Sequence, residues 1–208
     1  LVIECHEISA TKDIEIKTLA CRVHKLELVA PDVMVISLKL PTNQRLQFLA
    51  GQYIDILLKD GKRRSFSLAN APHDDEYLEL HARNYPGGVF TEHVFTNMKV
   101  KDMLRFTGPL GSFFLRDTPE ECSIIFLASG TGFAPIKSIL EHVFHQEGGR
   151  HRKRNMTLYW GARTKSDLYL ADLADKWQRE HDNFTFIPVL SEPLPSDNWQ
   201  GRTGLVHQ

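Results

Sequence analysis

At 208 residues the chain exceeds an average domain of about 150, so it holds one large domain or two small ones. Lys and Arg number 25 against 26 Asp and Glu, and this balance excludes a nucleic-acid-coating protein or a polybasic membrane binder. A hydrophobic share of 42% with 25% charged residues excludes wholesale disorder.

In chain order, the first half reads as strands. Val33, Val35 and Ser37 alternate with Met34, Ile36 and Leu38, which predicts a strand over 33–38. Further strands are predicted over 53–59, 64–69, 77–83 and 103–107. In the 77–83 run, Leu78, Leu80 and Ala82 face one way and Glu79, His81 and Arg83 the other. Ala30-Pro31, Asp60-Gly61, Ala71-Pro72 and Pro86-Gly87-Gly88 supply turns between them. Short strands with regular turns and almost no helix predict a small antiparallel β-barrel.

From about residue 120 the period changes. Ser123 to Ala128 is a continuous apolar run, expected of a parallel strand buried on both faces. Ile136, Ile139, Leu140 and Val143 then fall at helix spacing, and 155–160 is a second strand. Ser166 is the expected cap of a helix that places Leu170, Leu173, Ala174 and Trp177 on one face. A third strand is predicted over 184–190, with a strand fragment at 204–207. This alternation predicts a doubly wound α/β domain, incomplete because a full sheet has roughly five to six strands. A chain ending at Gln208 is expected to leave an apolar edge exposed, an aggregation hazard.

Cys5, Cys21 and Cys122 are widely spaced and read as three reduced thiols, with no spacing for zinc, an iron–sulfur cluster or a dithiol site. No His-Glu-x-x-His occurs, so no bound metal is expected. No apolar run approaches the ~20 residues of a spanning helix, and Glu4, His6 and Glu7 break any signal peptide. A cytoplasmic protein is expected, binding neither nucleic acid nor membrane. The basic run 150–154 reads as a solvated loop or a docking patch for an acidic electron-transfer partner.

Three signals carry chemistry. Gly130-Thr131-Gly132-Phe133-Ala134-Pro135 lies between a buried strand and a helix, where glycines let backbone approach a pyrophosphate at the helix N-terminus. The third glycine of a dinucleotide fingerprint is absent, so a plain strand–helix turn stays open. Arg64-Ser65-Phe66-Ser67 puts a phosphate-forking arginine and a stacking aromatic on one side of a strand, beside hydroxyls that can reach a ring nitrogen. An ordinary half-buried strand gives the same pattern. Pro86-Gly87-Gly88-Val89-Phe90-Thr91 leads into a short helical stretch, a second anion-binding terminus or simply a turn.

Taken in this order, the three segments resemble the ferredoxin–NAD(P)H reductase family over nearly the whole chain. Gly108-Pro109-Leu110-Gly111-Ser112-Phe113 and Trp160-Gly161-Ala162-Arg163-Thr164 are similar to further signatures of that family. The resemblance implies an FAD-binding barrel over 1–117, with 1–16 a linker, and a partial NAD(P)-binding domain over 118–208. It implies that Arg64 binds a flavin phosphate, Phe66 stacks on the isoalloxazine, and Ser65 and Ser67 lie beside it, Ser67 tuning N5 as the catalytic residue. Leu80, His81 and Ala82 would line the flavin through backbone contacts, and Gly88, Val89, Phe90 and Thr91 would receive the FAD pyrophosphate. Thr131 would bridge the two ligands, with Gly130, Gly132 and Arg163 at the nicotinamide nucleotide. Phe66 stands where many relatives have tyrosine. Ser191 and Glu192 would lie near the adenosine 2′ position, where a carboxylate repels a 2′-phosphate and favours NADH over NADPH.

The implied activity is hydride transfer from NADH to FAD, then single-electron transfer to an iron–sulfur domain or protein. The start of the chain is similar to the stretch following a plant-type [2Fe–2S] domain in fused reductases. These serve aromatic-ring oxygenases or, in the CDP-6-deoxy-Δ3,4-glucoseen reductase group, a deoxysugar dehydratase. A Cys-Gly-x-x-x-Met-like segment of relatives is absent from the sequence. The competing readings are a free NAD(P)H:flavin reductase and a non-catalytic nucleotide-binding module.

Overall fold

The computed structural model describes residues 14–116, 119, 121–146, 148–149 and 151–208. Cys5, most of the 1–16 linker and Arg150 of the basic run lie outside the described residues.

The first unit is an antiparallel sheet of β1 (Lys17–Ala30), β2 (Val33–Lys39), β3 (Tyr53–Leu57), β4 (Arg63–Ser67), β5 (Leu78–Arg83) and β6 (Met103–Leu110). Its order is β4-β3-β6-β1-β2-β5, and an isolated bridge between Leu68 and Leu80 joins the two ends into a barrel. Inward residues alternate as the pleat requires: Ile36 and Leu38, Ile54 and Ile56, and Leu78, Leu80 and Ala82 are at most 1% exposed. Helix α1 (Val89–Thr96) adds Phe90 and Val94 to this core.

The strand that sequence pattern did not announce is β1, which lies at the centre between β6 and β2. Its pairing with β2 shifts register between Val23 and Lys25 and again between Leu28 and Ala30. Each shift breaks the two-residue period, so Cys21 and Val23 point inward without a matching run beyond them.

The second unit is a parallel sheet of β7 (Ile124–Ser129), β8 (Met156–Ala162), β9 (Phe184–Leu190) and the two-residue β10 (Arg202–Thr203), in the order β10-β9-β8-β7. The last strand falls at 202–203 rather than at 204–207, pairing with Val189 and Leu190. Helices α2 (Phe133–His145) and α3 (Ala171–Glu180) make the two crossovers. The expected face of α2 is buried, with Ile136, Ile139, Leu140 and Val143 at most 3% exposed. Phe133 stacks on Trp160 at 3.9 Å between ring centres, the middle of this core.

Two expectations need correction. β7 is not buried on both faces: Ile125 and Leu127 are 66% and 57% exposed. The crossovers β7→β8 and β8→β9 advance in the same direction, so right-handed connections bring both helices to one face. Ser166 does not cap α3; it sits in a 3₁₀ turn, Lys165–Asp167, capped by Thr164 and Asp167, and α3 begins at Ala171. Among the described residues no helix is long and apolar enough to cross a membrane.

Candidate functional site

β4 pairs with β3 along its length, opposing Ser65 to Asp55 and Phe66 to Ile54. The Ser65 hydroxyl donates to Asp55 Oδ1 at 2.6 Å, so its side chain is committed within the sheet. Alternation puts Arg64 and Phe66 on the other face. Phe66 leans on the barrel core and tilts against Phe90, ring centres 5.4 Å apart. Arg64 Nη1 donates to the Arg63 carbonyl at 2.8 Å, which leaves most of its fork for a ligand. Ser67, half-buried at the end of β4, makes no side-chain hydrogen bond among the described residues.

The side chains of Leu80 and Ala82 are wholly buried in the barrel, so only their main chain could meet a ligand. Glu79 turns both main-chain groups towards β4, accepting from Ala69 N–H at 2.8 Å and donating to Asn70 Oδ1 at 2.9 Å. Residues two apart on a strand repeat this direction, so His81 also turns its main chain to that side, whereas Leu80 and Ala82 turn theirs to β2. Pairing between the barrel ends stops at the Leu68–Leu80 bridge. Of the three, only His81 turns its main chain to that side; its N–H completes the bridge and its carbonyl is left beyond it.

Gly88 is the N-cap of α1 and has no side chain to cap it. The first-turn amides of Val89, Phe90 and Thr91 therefore have no intrahelical acceptor and no side-chain cap. The Thr91 hydroxyl donates to the Gly88 carbonyl at 3.1 Å and accepts from Tyr85 N–H at 3.4 Å, fixing the turn.

At the carboxyl end of β7, Gly130–Gly132 forms a 3₁₀ turn running into α2. Gly130 has φ +52° and its carbonyl accepts from Trp160 Nε1 at 2.9 Å. Thr131 is half-buried. Gly132 is different: its φ of −59° suits any residue, and a Cβ there would meet nothing within 4 Å. The fold gives no reason for glycine at 132. At the ends of β8 and β9, Ser191 N–H donates to Ala162 O at 2.9 Å and Glu192 N–H to Arg163 O at 2.8 Å. Arg163, Ser191 and Glu192 thus share the carboxyl edge of the sheet with the glycine turn, where open α/β sheets take ligands.

The two units meet along β5 and α2. Ser138 Oγ donates to Asn70 O at 2.7 Å, and Lys137 Nζ lies 3.2 Å from Glu79, 3.0 Å from Glu141 and 3.3 Å from Ala69 O. His81 bonds Glu79 through Nε2 at 2.8 Å and Tyr169 Oη through Nδ1 at 2.9 Å. Burial opposes the charge on Glu79, but the His81 hydrogen bond and the Lys137 ammonium hold its carboxyl down at about 2. Burial pushes the His81 pKa down despite Glu79. The ring is neutral, Nε2–H donates to the carboxylate, and the Tyr169 hydroxyl donates to Nδ1.

Sequence pattern missed this seam. Lys137 sits on the apolar face of α2 without any motif, and Arg83 looked like an outward residue of its strand. In fact Arg83 is wedged between the units, with Asp32 at 3.3 Å and Asp167 at 3.6 Å. Within the basic run two arginines are tied into the fold: Arg152 donates to Phe144 O and Arg154, 5% exposed, to Cys122 O at 2.6 Å, while Lys153 is exposed. Cys21 is buried and Cys122 exposed, both free thiols, and no metal-holding cluster occurs among the described residues.

Two domain families match the chain: an oxidoreductase FAD-binding domain over residues 20–115 and an oxidoreductase NAD-binding domain over 126–208. The chain belongs to the ferredoxin reductase-type FAD- and NAD-binding oxidoreductases. It is 40% identical to the CDP-6-deoxy-L-threo-D-glycero-4-hexulose-3-dehydrase reductase of Yersinia pseudotuberculosis serotype I (strain IP32953), across 94% of this chain and 56% of that protein. It is also 40% identical to terephthalate 1,2-dioxygenase, reductase component 2, of Comamonas sp., across 89% of this chain and 54% of the relative. Among solved structures, the Amycolatopsis cytochrome P450 reductase GcoB superposes with a TM-score of 0.81 at 33% identity, over 94% of this chain and 59% of that one. The chain spans about half the length of the curated relatives it matches.

Proposed function

We propose that the protein takes hydride from NADH onto FAD and passes the electrons singly to an iron–sulfur centre and from it to a partner enzyme. The flavin domain runs over 1–117 and the nucleotide domain over 118–208. The observation that carries this reading is a chain of contacts: Phe66 of the Arg64–Ser67 strand tilts on Phe90 of α1, the end of that strand bridges to β5, and Arg83 at the end of β5 lies against Gly130 of the glycine turn.

These residues fit FAD. Arg64 and the Val89, Phe90 and Thr91 amides supply donors for two phosphates, which FMN alone would not need. Phe66 gives a ring to stack on, the His81 backbone faces the isoalloxazine edge, and Ser67 places a free hydroxyl at N5. Gly130, Thr131 and Gly132 admit the nicotinamide nucleotide, with Arg163 for its phosphates. Bound FAD supplies the chemistry itself, accepting a hydride and releasing electrons one at a time. The chain's part is to hold two planar rings in contact and to exclude water from the seam. Glu192, exposed beside Arg163, is placed to repel a 2′-phosphate, which supports NADH over NADPH.

The names of the reductase relatives, which carry a hexulose dehydrase and a dioxygenase, support a dehydrase or an oxygenase as the partner enzyme. The test is release of the flavin from purified full-length protein by heat. FAD in near-equal amount to protein is expected; FMN, or a flavin lost on gel filtration, overturns the assignment of the α1 amides.

A further inference from the structure

We propose that Arg83 is a positioning residue for hydride transfer, fixing the Gly130–Gly132 turn against the flavin-facing edge of β5. This rests on the reading of the seam as the meeting place of flavin and nicotinamide.

Arg83 ends β5, two residues beyond His81 and on the same side of the strand. Its guanidinium lies against Gly130: a Cβ added there would sit 2.9 Å from Nη1 and 3.4 Å from Cζ. The arginine therefore occupies the space that a side chain at 130 would need. On the other side of the turn, Trp160 Nε1 holds the Gly130 carbonyl. The turn is clamped between an indole of its own unit and a guanidinium of the barrel.

Carboxylates from both units flank that guanidinium as ion pairs, without hydrogen-bond geometry at Nε or Nη2. Arg83 Nε is 3.3 Å from Asp32 Oδ2, in the β1–β2 turn, and Nη2 is 3.6 Å from Asp167 Oδ1, after β8. Arg163 closes the figure, with Nη2 3.5 Å from the same Asp32 oxygen and Nε 3.4 Å from Asp167 Oδ2. Two cations and two anions alternate around a ring, and each unit contributes one of each. Every charge has two opposite neighbours, so a ring can hold where an isolated surface pair contributes little.

The ring is graded in exposure, from Asp167 at 8% through Arg83 at 25% and Asp32 at 27% to Arg163 at 58%. Only Arg163 is free to swing out to a nucleotide phosphate. When it does, Asp32 and Asp167 still share Arg83, so the units keep their registry while the ligand is held. Arg163 is thus the ligand-side member and Arg83 the fixed one.

The test compares Arg83→Gln and Arg83→Lys in the full-length protein. Trp160 offers a readout independent of turnover, because its indole N–H is bonded to Gly130. In Arg83→Gln this N–H is expected to exchange with solvent about tenfold faster, while that of Trp199, bonded to Arg202 O, keeps its rate. Flavin reduction by NADH should slow about tenfold, with the NADH dissociation constant within about threefold of wild type. Arg83→Lys, retaining the charge, should recover part of both.

Wild-type Trp160 exchange in Arg83→Gln overturns the proposal. If Arg83→Gln fails to fold, Asp167→Asn opens the ring from the other unit, and there too unchanged Trp160 exchange overturns it. A wild-type protein that NADH does not reduce refutes the flavin–nicotinamide reading instead, and with it the role in hydride transfer; the Trp160 rates then still report whether Arg83 holds the turn.

Discussion

Replacing Lys137 by methionine tests the contact between the two units. Lys137 is 8% exposed, and its ammonium lies between Glu79 and Glu141, each within 3.2 Å. Methionine fills similar volume but leaves two half-buried carboxylates facing each other without their cation. Removing one partner of a buried ion pair costs about 3–5 kcal/mol. The lowered Glu79 pKa, from 4.5 to about 2, corresponds at 1.36 kcal/mol per unit to about 3 kcal/mol, shared between the His81 hydrogen bond, the larger part, and the Lys137 ammonium. That stabilisation belongs to the ionised form, so in wild type it is present above pH 4.5 and lost as pH falls towards 2. In the variant the carboxylates are protonated more readily, so the deficit is largest near neutrality and shrinks in acid.

Thermal unfolding followed by circular dichroism reads this directly. At about 2–4 °C per kcal/mol for a chain of this size, a midpoint drop of about 8–15 °C is expected at pH 7.5 and a clearly smaller one at pH 3, inside the window where the Glu79 contribution is lost. Adding Glu141→Gln should restore part of the loss by removing one orphaned anion. A drop under about 2 °C at pH 7.5, or equal drops at both pH values, would refute the reasoning.

Gly130→Ala and Gly132→Ala should differ in kind. Alanine at 130 meets Arg83 and an unfavourable φ of +52°, and should cost about 1–2 kcal/mol of stability. Alanine at 132 meets nothing and should leave stability within about 0.5 kcal/mol while weakening NADH binding, measured by calorimetric titration. His73, His81, His142 and His181 all have pKa values lowered by burial. Each favours the folded state when neutral, so the unfolding midpoint should hold above pH 6.5 and fall progressively below it; a midpoint that rises from pH 7 to 5.5 contradicts this. Glu192→Lys should move the kcat/KM ratio towards NADPH by at least about tenfold, and an unchanged ratio removes Glu192 from the 2′ position.

What the sequence disclosed follows from how local each cause is. β9 reads directly off its apolar run, and β2 off its alternation, because each keeps a single period. β1 does not, since its two register shifts move the inward face part-way along. The run 124–128 is apolar throughout, but composition cannot say that both crossovers land on one side and leave Ile125 and Leu127 exposed. The same limit applies at the candidate site. Gly130–Gly132, Arg64–Ser67 and the Gly88 turn are contiguous and carry their geometry with them. Arg83, Asp32, Lys137 and Asp167 acquire meaning only when the units close on each other; Arg83 and its partner Asp167 lie 84 positions apart in the chain, beyond any local pattern.

The central claim is that this seam brings NADH to a bound flavin. Its most direct test is the visible spectrum of the purified full-length protein during anaerobic titration with NADH. The account predicts a yellow protein whose flavin bands bleach as NADH is added and return on admission of oxygen. A colourless protein that takes up no added FAD, or a yellow one that NADH leaves oxidised, would contradict it.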